Sequence, residues 1–110
     1  MALLTPQNVV STGTTPTSIT PAASDTINVA TAGPAGWLLR VITTGTASNV
    51  SVADPNLTAV GNAGTVVPLA APATGVRMVF IPKAAASPST SLVTITSSSQ
   101  AGMTYELYAA

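Results

Sequence analysis

The sequence predicts an all-β protein, a single β-sandwich or an Ig-like or jelly-roll-like barrel, preceded by an extended N-terminal arm. Three observations lead there. Apolar and polar residues alternate with period two in short runs. Clusters of Gly, Pro, Asn and Asp separate those runs. The alanine-rich pieces that could start a helix, PLAAPA and PKAAASP, are hemmed in by prolines and too short to hold one.

The arm comes first and spans 1–23. Pro6, Pro16 and Pro21 rule out a continuous helix, because each lacks an N–H and restricts the residue before it. The stretch carries no charge, yet Val9, Val10 and Ile19 are apolar and β-branched, which a purely solvated tail does not need. The expectation is a segment that is mobile in the free protein and orders as an added strand on a neighbour.

The β-sandwich domain follows over 24–110. Its first run, 24–30, alternates Ile27 and Val29 with polar residues. In 36–43, Trp37, Leu39 and Val41 share one face while Leu38, Arg40 and Ile42 share the other. The run 48–53 alternates Val50 and Val52 with serines, and 64–69 is a short run reaching Pro68. In 75–81, Val76, Met78 and Phe80 stand opposite Arg77, Val79 and Ile81; 91–97 and 103–109 complete the set. The core is expected where Trp37, Leu39 and Val41 meet Val76, Met78 and Phe80 across the sandwich. Tyr105 and Tyr108 fall on opposite faces of the last run, so at most one is in the core. Residues 83–91 form the longest expected loop.

Composition removes function classes. The 110 residues suffice for one domain. Charged residues are 5% of the chain, against roughly 25% in an average globular protein, and the formal net charge is zero. A free monomer usually stays soluble through a mixed charged surface, so few charges suit either a protein packed against neighbours or a compact secreted β domain with a Thr-rich skin. There is no cysteine and no histidine, which removes thiolate chemistry, the commonest general base and the commonest transition-metal ligands. Arg40, Arg77 and Lys83 are too few for nucleic-acid binding. No signal peptide and no apolar run long enough to span a bilayer are visible, so neither membrane nor secretion is expected.

Asp25, Asp54 and Glu106 are the available acids, and none lies in a nucleophile motif or a calcium loop. The chain is expected to be no enzyme and to need no cofactor or metal. The sequons at Asn49 and Asn56 are discounted in a chain so rich in Ser and Thr. Trp37 is read as a core anchor before a sugar platform. Arg40 and Arg77 sit inside apolar runs, where a charge must face water or a carboxylate. Each is read either as an outward arginine laying its stem along the sheet or as half of an ion pair, forked onto a carboxylate, at a subunit contact. The interface candidates are thus Val9, Val10, Ile19, Arg40, Arg77 and Tyr108.

The opening LLTPQNVVSTGTTPT, then PAASDTINVA, the aromatic-led GWLLRVITTGTASNVSVADP, VVPLAAPATGVRMVFIP and the closing SLVTITSSSQAGMTYELYA resemble the small capsid decoration, or cement, proteins of tailed bacteriophages. The resemblance runs from Leu3 to Leu107 and is carried by Trp37, the Thr43–Ala47 turn, Pro68 and Arg77. It implies a β-sandwich-like domain bound to the major capsid protein on the outer surface of an icosahedral virion, commonly as a homotrimer, assembled in the host cytoplasm and stabilising the shell. Two other readings stand beside it: a carbohydrate-binding or adhesion β-sandwich module of a fibre or tail, and an Ig-like structural domain of a tail.

Overall fold

The computed structural model describes residues 2–53, 69–88 and 90–110. Its strands are β1 (Ala2–Leu4), β2 (Ser24–Asn28), β3 (Gly36–Thr44), β4 (Ser48–Val52), β5 (Leu69–Ala71), β6 (Thr74–Pro82), β7 (Leu92–Ser97) and β8 (Met103–Ala109). Among the described residues, helical geometry is confined to short 3-10 turns at Val29–Thr31 and Lys83–Ala85. One sheet has the order β1-β2-β7-β4-β5 and the other β6-β3-β8. They face each other as a sandwich, as the alternation of the runs predicts. All ladders are antiparallel except that of β1 on β2.

Period two explains the core. On β3, Trp37, Leu39 and Val41 are buried, and they join Tyr105 and Leu107 of β8 with Ile27, Val50, Val93 and Ile95 of the opposite sheet. Tyr105 is therefore the core tyrosine and Tyr108 faces outward. Gly36 opens β3 at φ +135, a conformation that disfavours side chains, and a Cβ there would run into the Ile81 carbonyl oxygen. The Asp54-Pro55-Asn56 turn, the sequon at Asn56 and most of the run 64–69 lie outside the described residues; Leu69 alone of that run is described, as the first residue of β5.

The expected facing of β6 is corrected. β6 pairs with β3 in the same sheet, with Leu38↔Phe80, Arg40↔Met78 and Ile42↔Val76 in register, and does not pack across the sandwich from it. In-register partners share a face, so Val76, Met78 and Phe80 stand on the outer face at 45, 55 and 50% exposure. Ile81 is fully buried instead, and Val79 packs against the core beside it.

Residues 2–23 lie along the chain's own body. β1 adds to β2 and buries Leu4. The chain then crosses to the other sheet, where Gln7 forms a parallel bridge with Tyr108 and Ile19 an antiparallel bridge with Tyr105. The segment is extended, as its prolines require, and it is docked on β2 and β8 of its own chain, where the expectation was a segment mobile until it pairs with a neighbour. Ile19 is half-buried and packs against the core, whereas Val9 and Val10 are exposed.

Two outcomes follow from this packing. Ile81→Ala should cost about 2–5 kcal/mol in urea denaturation, while Phe80→Ala should cost about 1 kcal/mol or less. The reverse order would return β6 to the opposite facing. Deleting residues 2–20 removes the Leu4 burial and uncovers the β8 edge, so calorimetry should show the melting temperature falling by at least about 10 °C; an unchanged value would make the docked segment energetically idle.

Candidate functional site

The outer face of the β6-β3-β8 sheet carries the features that core packing does not explain. β6 contributes Val76, Met78 and Phe80, and β3 contributes half-buried Leu38, Arg40 and Ile42. β8 adds Glu106 and Tyr108, in register with Arg40 and Leu38. The result is an apolar row along β6 beside a polar centre.

The polar centre is a closed triad. Arg40 Nη1 donates to Glu106 Oε1 at 2.8 Å, and the Tyr108 hydroxyl donates to the same oxygen at 2.6 Å. Both hydrogen bonds, Tyr108 first and Arg40 second, hold the Glu106 carboxyl below its ordinary pKa. Bonding to Glu106 raises the pKa of the Tyr108 hydroxyl, and that of the Arg40 guanidinium likewise. Glu106 is buried, while the Arg40 side chain remains about one-third exposed, at 36%. Of the two readings of Arg40, neither holds as stated: it pairs with a carboxylate of its own chain and not at a subunit contact, with one nitrogen meeting one oxygen without a fork.

The N-terminal segment builds a wall next to this centre. Its loop is pinned by the Gln7 side-chain amide, which donates to the Thr17 carbonyl at 2.8 Å and accepts from the Thr17 N–H at 2.9 Å. The Thr14 hydroxyl accepts from the Val10 N–H and donates to the Asn8 carbonyl. Between Val9, Thr14 and Pro16 on one side and Leu38, Met78 and Tyr108 on the other lies an open cleft of about 580 Å³. Met78 belongs to both the cleft and the exposed row, so the two form one surface.

The candidates read from the sequence divide accordingly. Val9, Arg40 and Tyr108 meet in the cleft. Val10 lies on the turn closed by the Gly13 N–H, Ile19 holds the β8 edge, and Arg77 is exposed on β6 with the parity of Val79 and Ile81. Leu38, Val76, Met78, Phe80 and Glu106 were missed. Their signal was present: Arg40 marks the outer parity of β3, and any neighbour in register with it must share that face.

Trp37 is fully buried and offers no sugar platform; its Nε1 has no hydrogen-bond partner among the described residues. Asp25 is structural: buried at the start of β2, it accepts the Ala22 N–H at 2.9 Å. Near it, burial raises the Tyr105 pKa; a hydrogen bond with Ser97 lowers it and the Asp25 charge raises it, each by less. No three of the His, Cys, Asp and Glu residues come together as metal ligands among the described residues, and no helix there is long and apolar enough to cross a membrane. Comparison with protein families, with curated protein sequences and with solved structures finds no match to this chain.

The triad fixes a pH dependence. Glu106 has a lowered folded-state pKa, so its contribution is present in full above the unfolded value and is lost as pH falls through the folded one. Tyr108 has a raised one, so its contribution is full below its unfolded value and is lost as pH rises through the folded one. Glu106→Gln should therefore destabilise the protein at neutral pH, with the gap from the parent shrinking below about pH 4. Urea midpoints at pH 7 and pH 3 read this directly, and a gap independent of pH would show that the carboxylate charge is not what the triad uses.

Proposed function

We propose that this chain is a structural protein of a phage virion, a decoration protein that binds the major capsid protein on the outer surface of the capsid and stabilises the shell. It works by docking, not catalysis. The observation that carries this reading is the row Val76, Met78 and Phe80, each about half exposed, on a chain whose charged residues are 5% of its length. An isolated exposed apolar residue is ordinary, but a contiguous row leading into a cleft marks a contact surface. The stretches quoted above for their resemblance to capsid decoration proteins supply the kind of surface contacted.

The physical logic is repetition. A sandwich stiffened by its own N-terminal segment presents one apolar sheet face with little rearrangement on binding, which lowers the ordering cost. A trimer would present several such faces to the shell at once, and weak contacts then multiply through effective concentration. The Ser- and Thr-rich remainder of the surface keeps the chain hydrated without placing charges where neighbours pack.

The test uses capsids assembled from the major capsid protein of the same virus. The double variant Met78→Ser, Phe80→Ser should keep the melting temperature within a few degrees, since both sites are exposed, and lose at least about tenfold in capsid affinity, two truncated anchors exceeding the 1.4 kcal/mol that a factor of ten requires. A parent chain that does not bind capsids sinks the decoration reading. A variant that binds as tightly as the parent moves the docking surface elsewhere.

A further inference from the structure

The two edges of the three-stranded sheet are treated differently. On β8, Tyr105, Leu107 and Ala109 turn backbone groups to Gln7 and Ile19. Thr104, Glu106 and Tyr108 must then turn theirs to β3, and the alternation of an antiparallel ladder directs Trp37, Leu39 and Val41 toward Ile81, Val79 and Arg77 of β6. The N–H and C=O groups of Val76, Met78 and Phe80 consequently point away from the sheet, and no described residue pairs with them. One strand thus offers a row of backbone donors and acceptors and, from the same three residues, a row of exposed apolar side chains. Edges of this kind are usually covered or blunted.

Charge identifies what can cover it. Among the described residues, Glu106 is occupied by Arg40 and Tyr108, and Asp25 is buried. Arg77 on β6 and Lys83 just beyond it are exposed, and neither makes an ion pair there. The margin of the sandwich along β6 is therefore cationic. A second copy of β6, paired antiparallel about Met78, would set two Arg77 side chains diagonally across the seam on one face, a like-charge arrangement.

We infer that the outer edge of β6 receives an extended, acidic strand of another protein. The added strand lays apolar side chains beside Val76, Met78 and Phe80 on the outer face and sets a carboxylate opposite Arg77 on the other. Arg77 directs its backbone groups to β3, so its position toward the new strand is a non-hydrogen-bonded one, where side chains approach most closely. A second carboxylate farther along meets Lys83. This inference rests on the reading that the β6 side is the docking surface and adds the geometry and charge of what docks.

The probe is a ten-residue peptide of alternating Val and Glu, with a Val and Lys counterpart, titrated into the full chain at low salt while amide exchange is followed by NMR. The Val–Glu peptide should bind at least tenfold tighter than its counterpart, protect the amides of Val76, Met78 and Phe80, and weaken as salt is added. Arg77→Glu should abolish or invert the preference, and Lys83→Glu should reduce it. Equal affinities, or no protection at those amides with either peptide, would overturn the inference. Protection that grows with protein concentration alone would assign the edge to a second copy and overturn it as well. Capsid binding that survives a failed peptide preference removes this inference and leaves the decoration reading standing; a peptide preference in a chain that ignores capsids does the reverse.

Discussion

Backbone groups on the outer side of β8 need partners, and the chain supplies them from its own N-terminal segment. Gln7 and Ile19 bond the same strand from the two ends of one loop. Each such bond contributes on the order of 1 kcal/mol, but the group it satisfies would cost about 1–3 kcal/mol if left buried and unpaired. That asymmetry fixes the path of the segment, and much else follows from the path. It brings the loop of residues 8–18 over the outer face, where the Gln7–Thr17 clamp holds it as one wall of the cleft. It also carries the chain from β1, on one sheet, to β8, on the other, so one side of the sandwich is closed by a continuous stretch.

The same economy governs charge. With three acidic and three basic residues in the whole chain, each placement matters. Glu106 is held by two donors, so its charge is balanced within the face it occupies. Asp25 serves the turn into β2. What remains unbalanced among the described residues is cationic and gathered at β6, where the segment that covers β8 does not reach. Among the described residues one edge of this sheet is sealed and the other is unpaired, and the exposed apolar row lies on the unpaired side.

Much of this fold was legible in the sequence, for reasons that particular strands make plain. Trp37, Leu39 and Val41 alternate with Leu38, Arg40 and Ile42, and the arginine alone tells which set faces out. Tyr105 and Tyr108 are separated by parity in the same way. On β6 the cue pointed the wrong way: both faces are apolar, and Arg77, the one charge, belongs to the inward parity but escapes because the strand lies at an edge. Period two says which residues share a face. It does not say which face is inside, nor whether two strands are neighbours in one sheet or opposites in two. The triad was hidden for a related reason, since Arg40 and Glu106 lie 66 residues apart and only the β3–β8 register joins them. The docking of residues 2–23 could not be read at all, because a Thr- and Pro-rich sequence that can add to any edge does not name the edge.

That last point changes what the segment means for assembly. The bonds from Gln7 and Ile19 to β8 could in geometry be made to another copy's β8, yet a tethered segment meets its own edge at an effective concentration in the millimolar range for short flexible linkers. Dilute protein therefore keeps the segment at home. Exchange between copies becomes competitive only where a lattice holds β8 edges at comparable local concentration, and even there it adds no bond that the closed chain lacks. The segment's prolines support either use, because they restrict the undocked chain and so reduce the freedom lost when it pairs. Sealing β8 is then the resting state of an element whose bonding is indifferent to which copy supplies it, whereas the open β6 edge gains bonds only when a strand arrives from outside the chain's described residues.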